Sequence, residues 1–120
     1  MNALQAVPLL DRTCIDEIRL VERATGRNDV FSGFIAMLER NVAAFPAAFR
    51  QCVAQGDAAG AARAAHTIKG ASRQLGAQAL GELFAQIERC AKAGDYAGAQ
   101  RTFDGSAALV AQSLSALKAA

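Results

Sequence analysis

The chain has 120 residues, 52% of them hydrophobic, and a formal net charge of +2. That length suits one domain with one core, and that charge is too small to argue by itself for nucleic acid. No apolar run reaches the roughly 20 residues of a membrane span, and the first residues lack the basic and long apolar regions of a secretory leader, so a cytoplasmic protein without a membrane partner is expected.

Ala dominates the apolar residues, Pro occurs only twice and Trp is absent. With Leu, Gln, Glu and Arg abundant as well, the composition points to an all-α chain. Cys14, Cys52 and Cys90 are far apart and form no CxxC or Cys/His ligand cluster. They read as reduced core thiols, with no metal site.

Asp11 or Thr13 is placed to cap a short first helix that runs to Ala24 with Ile15, Ile18 and Val21 inward, and residues 25–28 break it. Residues 29–54 follow as a long amphipathic segment. Phe31, Phe34, Ile35, Leu38, Val42, Phe45, Phe49 and Cys52 recur at steps of three and four, and Pro46 inside the run predicts a kink or a restart. Gly56 and Asp57 end that segment and open the next, residues 57–75, which Gly76 closes. Residues 77–93 carry the stripe Leu80, Leu83, Phe84, Ile87, Cys90 and Ala91. After Gly94 and Asp95, a last segment holds Tyr96, Phe103, Val110, Leu114 and Leu117, with a bend at residues 104–106.

Short connections favour antiparallel neighbours, so the expected fold is an all-α, antiparallel up-and-down four-helix bundle with a short additional N-terminal helix. It forms a single domain over residues 1–120. One echo stands out: residues 55–61, QGDAAGA, resemble residues 93–99, AGDYAGA. A helical-hairpin repeat would produce it, but so would two Gly-Asp helix junctions, and nothing else recurs.

His66 is the one histidine, so its direction matters. At about 100° per residue from His66, Ala61, Ala64, Ile68, Ala71, Ser72 and Leu75 fall on the far, inward side. Ala59, Ala62, Arg63, Lys69, Gly70 and Arg73 fall within about 60° of His66 on the outward side. The face is thus an imidazole among cations and residues with small or no side chains. A neutral imidazole is a competent nucleophile near pH 7 and can form a covalent phosphoryl intermediate. Lys69, at i+3, can reach a phosphoryl group on it. Arg63 and Arg73 add positive potential for an acidic partner. Gly70 leaves a notch, at about 1 kcal/mol relative to Ala in a helix interior. A solvated histidine on a charged face, with Gly70 an incidental weak point, fits the same geometry.

The stretch Ala65-His66-Thr67-Ile68-Lys69-Gly70-Ala71-Ser72-Arg73-Gln74-Leu75-Gly76-Ala77 resembles the signature of histidine phosphotransfer (HPt) domains. That signature runs His, any residue, an apolar residue, Lys, Gly, two small residues, two variable ones, then an apolar residue and Gly. Leu80, Leu83, Phe84, Ile87 and Glu88 continue the resemblance, as does the upstream segment with its proline and Gly-Asp end. It covers nearly the whole chain and is most specific over residues 65–88.

The resemblance implies that His66 is phosphorylated through Nε2, that Lys69 stabilises the phosphoryl oxygens, and that Gly70 gives a receiver domain clearance. Glu88 would accept a hydrogen bond from the other ring nitrogen and fix the tautomer; alternatively it is a surface carboxylate at the edge of the stripe. Arg63, Arg73 and Ala62 would complete the docking face. Arg73 departs from the small residue common at its position and would strengthen docking or narrow the set of partners. Phe84, where cysteine or another apolar residue is common, should matter only for packing.

The function implied is a phosphocarrier in a two-component phosphorelay, served by receiver domains of response regulators or of a hybrid sensor histidine kinase. No cofactor is expected in the chain, the Mg²⁺ belonging to the receiver. No nucleotide-binding or kinase motif is present, so no enzyme is expected. Phe31, Phe34 and Met37 include candidates for an apolar contact patch, although most of them suit the core. A monomer is expected, and the initial Met with a complete set of stripes points to a free-standing protein. The alternative is a phosphorylation-independent helical adaptor that binds a kinase or response regulator. An acid-base enzyme using His66 and Glu88 has no second catalytic group to support it.

Overall fold

A computed structural model describes residues 7–120; residues 1–6, and with them the initial Met and part of the stretch read for a leader, lie outside the described residues. The described residues form α1 (Arg12–Thr25), α2 (Val30–Ala54), α3 (Ala58–Gln74), α4 (Gln78–Lys92), α5 (Tyr96–Asp104) and α6 (Ala107–Ala119), with no strand among them. None of these helices is long and apolar enough to cross a membrane.

Of the two possible caps for α1, Asp11 is used: its carboxylate accepts the N–H of Thr13 at 2.9 Å. The inward face of α1 differs from the expected one. Ile15 and Glu22 are buried and Ile18 is half-buried, whereas Val21 is 52% exposed. Glu22 explains the rotation. Its Oε2 accepts the backbone N–H groups of Val30 and Phe31, each at 3.0 Å. These are donors that the start of a helix cannot satisfy itself. Asp29, the residue before α2, makes no side-chain cap and pairs instead with Arg27.

α2 runs through Pro46 as a single helix, without the expected restart. Proline removes one backbone donor, but the stripe on both sides of it, Phe31, Ile35, Leu38, Val42, Phe45 and Phe49, is buried. Full burial of each such side chain is worth roughly 1.5–3 kcal/mol, so packing outweighs the lost bond. Phe45 meets Phe49, Phe84 and Phe103 with ring centroids 5.1–5.5 Å apart, tying α2 to α4 and α5. Phe34 leaves the expected stripe and is 46% exposed.

The helix–helix packing is most extensive between α3 and α4. Ala61, Ala62 and Ala65 of α3 are buried, and small side chains let neighbouring helices approach closely. α4 is covered on most sides, with Leu80, Leu83, Phe84, Ile87 and Ala91 buried. Gly76, between α3 and α4, has φ +81, and its carbonyl accepts the N–H of Asp11 at 2.6 Å. A Cβ there would lie 2.5 Å from the Asp11 carbonyl oxygen, so glycine is required both by the left-handed backbone and by this contact.

The echo between residues 55–61 and 93–99 is a repeated cap. Asp57 accepts the N–H of Gly60 at 2.8 Å and Asp95 that of Gly98 at 2.9 Å. The last segment is split rather than bent: α5 ends at Asp104 and α6 starts after Ser106, giving six helices among the described residues where five were expected. The split lets α6 pack on both α2 and α4 and bury Leu117. The three cysteines are free and half-buried at the edge of the core.

Candidate functional site

His66 lies in the middle of α3 with its side chain 64% exposed. The outward direction read from the helical count is therefore observed, but the buried face is turned from the expected one. Ala61, Ala62, Ala65, Ile68 and Ser72 are buried, while Ala64 and Ala71 are only half-buried. Ala62, expected on the outward face, is 5% exposed and offers no docking surface. The helical count assumed one inward stripe, whereas α3 is covered by α2 on one flank and α4 on the other. Seven residues apart, Ala62 and Lys69 fall on the same side of α3, and Lys69 reaches Glu88 of α4.

That α4 flank carries the chemistry. Glu88 is 5% exposed, so the reading as a surface carboxylate is overturned. Its Oε2 lies 3.1 Å from His66 Nδ1 and 3.1 Å from Lys92 Nζ, and its Oε1 lies 2.6 Å from Lys69 Nζ. Burial pushes the Glu88 carboxyl up, but hydrogen bonds from Lys69, Lys92 and His66 outweigh it and hold the group down at about 2. Glu88 is therefore a carboxylate at any physiological pH. A carboxylate only accepts, so Nδ1 must carry a proton to bond it. In the neutral imidazole this leaves Nε2 unprotonated, with a lone pair for attack.

The other residues of the outward face divide into two groups. Arg63 and Gly70 are exposed near His66. A Cβ added to Gly70 would meet nothing within 4 Å, so no contact inside the molecule requires glycine there. Arg73 leans over α4: its Cγ would lie 2.9 Å from a Cβ on Gly81, and its Nη2 is 3.9 Å from Glu82, which Arg89 also approaches at 3.5 Å. Its charge is thus partly engaged, two turns from His66.

On the α2 flank the surface is apolar. Of the three residues considered for a contact patch, Phe31 is core, whereas Phe34 and Met37 are 46% and 49% exposed. They border a groove of about 350 Å³ that Ile18, Ala71 and Gln74 complete. Lys92 escaped the sequence reading, although its spacing of four after Glu88 is the pattern of a helical ion pair. Among the described residues, no group of three or more His, Cys, Asp or Glu side chains is placed to hold a metal ion.

No curated protein and no solved structure gives a significant match to the chain. The Hpt domain family matches it over residues 29–120, from the start of α2 through the site helices to the C-terminus, and the chain belongs to that family.

Proposed function

We propose that the chain is a phosphocarrier of a two-component phosphorelay, with His66 as the residue that carries the phosphoryl group. The observation that carries this reading is the exposed imidazole whose Nδ1 is held 3.1 Å from a buried carboxylate. Nε2 of His66 attacks the phosphorus of an aspartyl phosphate on a docked receiver domain, in line with the leaving carboxylate oxygen. The N–P bond forms, the acyl P–O bond breaks, and the aspartate leaves as a carboxylate. The ring then holds its Nδ1 proton against Glu88, which stabilises the positive charge gained on phosphorylation. Transfer to a second receiver reverses the step. Mg²⁺ belongs to the receiver, and this chain supplies an oriented nucleophile and a docking surface rather than an enzyme's full machinery.

Lys69 starts on Glu88 and is one turn from the ring, so its flexible stem can bring the ammonium to the phosphoryl oxygens. Gly70 provides clearance, Arg63 and Arg73 supply potential for an acidic receiver edge, and the groove beside Phe34 and Met37 accepts an apolar one. In this reading α2, α3, α4 and the split α5–α6 limb form an antiparallel up-and-down four-helix bundle with α1 added. The chain works as a cytoplasmic monomer without nucleic acid.

The test is phosphotransfer from phosphorylated receiver domains, with His66→Gln alongside. The expected result is acid-labile, base-stable label on the wild type and at least a thousandfold less on the variant. Receivers that bind both proteins equally and transfer to neither would replace this reading with the adaptor.

A further inference from the structure

We propose that Lys92 is a positioning residue of this site: it shares Glu88 Oε2 with His66, and that shared contact limits how strongly the carboxylate draws a second proton onto the imidazole. The inference rests on the phosphocarrier reading and adds a residue to it.

The geometry is specific. His66 Nδ1 and Lys92 Nζ each lie 3.1 Å from the same oxygen of Glu88, while Lys69 holds the other oxygen at 2.6 Å. Lys92 follows Glu88 by four residues on α4, the order in which a helical carboxylate and ammonium pair best. An uncompensated carboxylate beside an imidazole favours the imidazolium. An imidazolium has no lone pair on Nε2 and cannot attack phosphorus. Glu88 therefore has two opposed effects on His66: it orients the ring, and it tends to protonate it. A cation on the shared oxygen keeps the first effect and weakens the second.

Lys69 is poorly placed for this task. It sits on the other oxygen, and in the phosphocarrier reading it turns towards the phosphoryl group. Lys92, with its side chain 66% exposed, can stay on Glu88 and keep the buried carboxylate compensated when Lys69 turns away. The other charged groups around His66 are few. On α3 they are Arg63 and Lys69, and from α4 they are Glu88 and Lys92, since Arg89 is directed to Glu82. Among the described residues α2 adds no ion pair to this cluster.

A Lys92 that merely stabilised α4 would leave His66's titration where it is, and this separates the two roles. Because the chain has one histidine, its ring NMR signals titrate as a single site. Lys92→Gln is expected to raise the His66 midpoint by about half a pH unit or more. The pH profile of phosphoryl acceptance from phosphoramidate should move upward with it. Lys92→Arg should restore both, and in a Glu88→Gln background the Lys92→Gln shift should fall to less than half. An unmoved midpoint in Lys92→Gln, or an equal shift with and without Glu88, overturns the proposal while wild-type transfer stands. A wild type that accepts no phosphoryl group from any donor overturns the phosphocarrier reading and, with it, the role of Lys92 in transfer.

Discussion

Glu22 and Glu88 are both 5% exposed, and the chain treats these two buried carboxylates differently. Glu22 receives the backbone N–H groups of Val30 and Phe31 and the guanidinium of Arg19, whose carbon also lies 4.6 Å over the Phe31 ring. The hydrogen bond from Phe31, then that from Arg19, hold its carboxyl below the usual range despite burial. Glu88 receives only side chains: Lys69, Lys92 and His66. Backbone donors cannot change partner without unwinding a helix, so Glu22 fixes where α1 meets α2. Side-chain donors can change partner by a rotamer change, so the cluster at Glu88 can respond to a new charge. A buried carboxylate thus has two uses, and the mobility of its donors tells them apart.

The largest effect should come from breaking the fixed carboxylate. Glu22→Ala strands two backbone donors at the start of α2, and such groups are expensive to leave unpaired in the interior. Thermal unfolding should show a fall in Tm of roughly 5–10 °C, while phosphotransfer per folded molecule stays within twofold of wild type. A large loss of transfer at unchanged Tm would reverse the assignment of the two carboxylates.

Glu88→Gln should act the other way round. Loss of the orienting charge should slow phosphoryl acceptance about tenfold, the scale on which losing the partner of a histidine's other ring nitrogen impairs activity, with a smaller change in Tm than Glu22→Ala. It should also change the acid response. The Glu88 value is lowered from 4.5 to about 2 on folding, so its contribution to stability is present above about pH 4.5 and is lost as pH falls towards 2. Urea unfolding at pH 6 and pH 2.5 should therefore show the variant and the wild type converging at the lower pH. Glu22 loses stability in the same direction, so some acid sensitivity should survive in the variant.

The smallest effect on stability tests the site face without touching either carboxylate. A Cβ on Gly70 meets nothing inside the molecule, so Gly70→Ala should stabilise the chain by up to about 1 kcal/mol through helix propensity. Gly70→Leu should be folded as well, yet transfer from a receiver should drop at least tenfold, while the small donor phosphoramidate is accepted as before. Equal rates from the receiver for Gly70 and Gly70→Leu would remove the clearance role.

Much of this was legible in local pattern. The breaks at Gly26, Gly56, Gly76 and Gly94 and the caps at Asp57 and Asp95 follow from single residues acting within a few positions. The outward direction of His66 follows from helix periodicity alone. What failed did so because a second helix intervened. Val21 was read inward, and Glu22 is buried in its place because α2 needs an acceptor at its start. Ala62 was read outward and is buried because α3 is covered on two flanks. Pro46 was read as a kink or a restart; the restart does not occur, because burial of Phe45 and Phe49 carries the helix through it.

The sequence by itself determined the first four helices and the turns between them, the exposed histidine and the motif around it, since these depend on spacing and on residues in covalent proximity. Only the tertiary structure decided that Glu88 is buried, that its oxygens are divided between His66, Lys69 and Lys92, and that Phe34 and Met37 stay exposed beside the site. Those facts depend on how α2 and α4 rotate against α3, and that rotation is set by packing of whole faces, which no single helix contains.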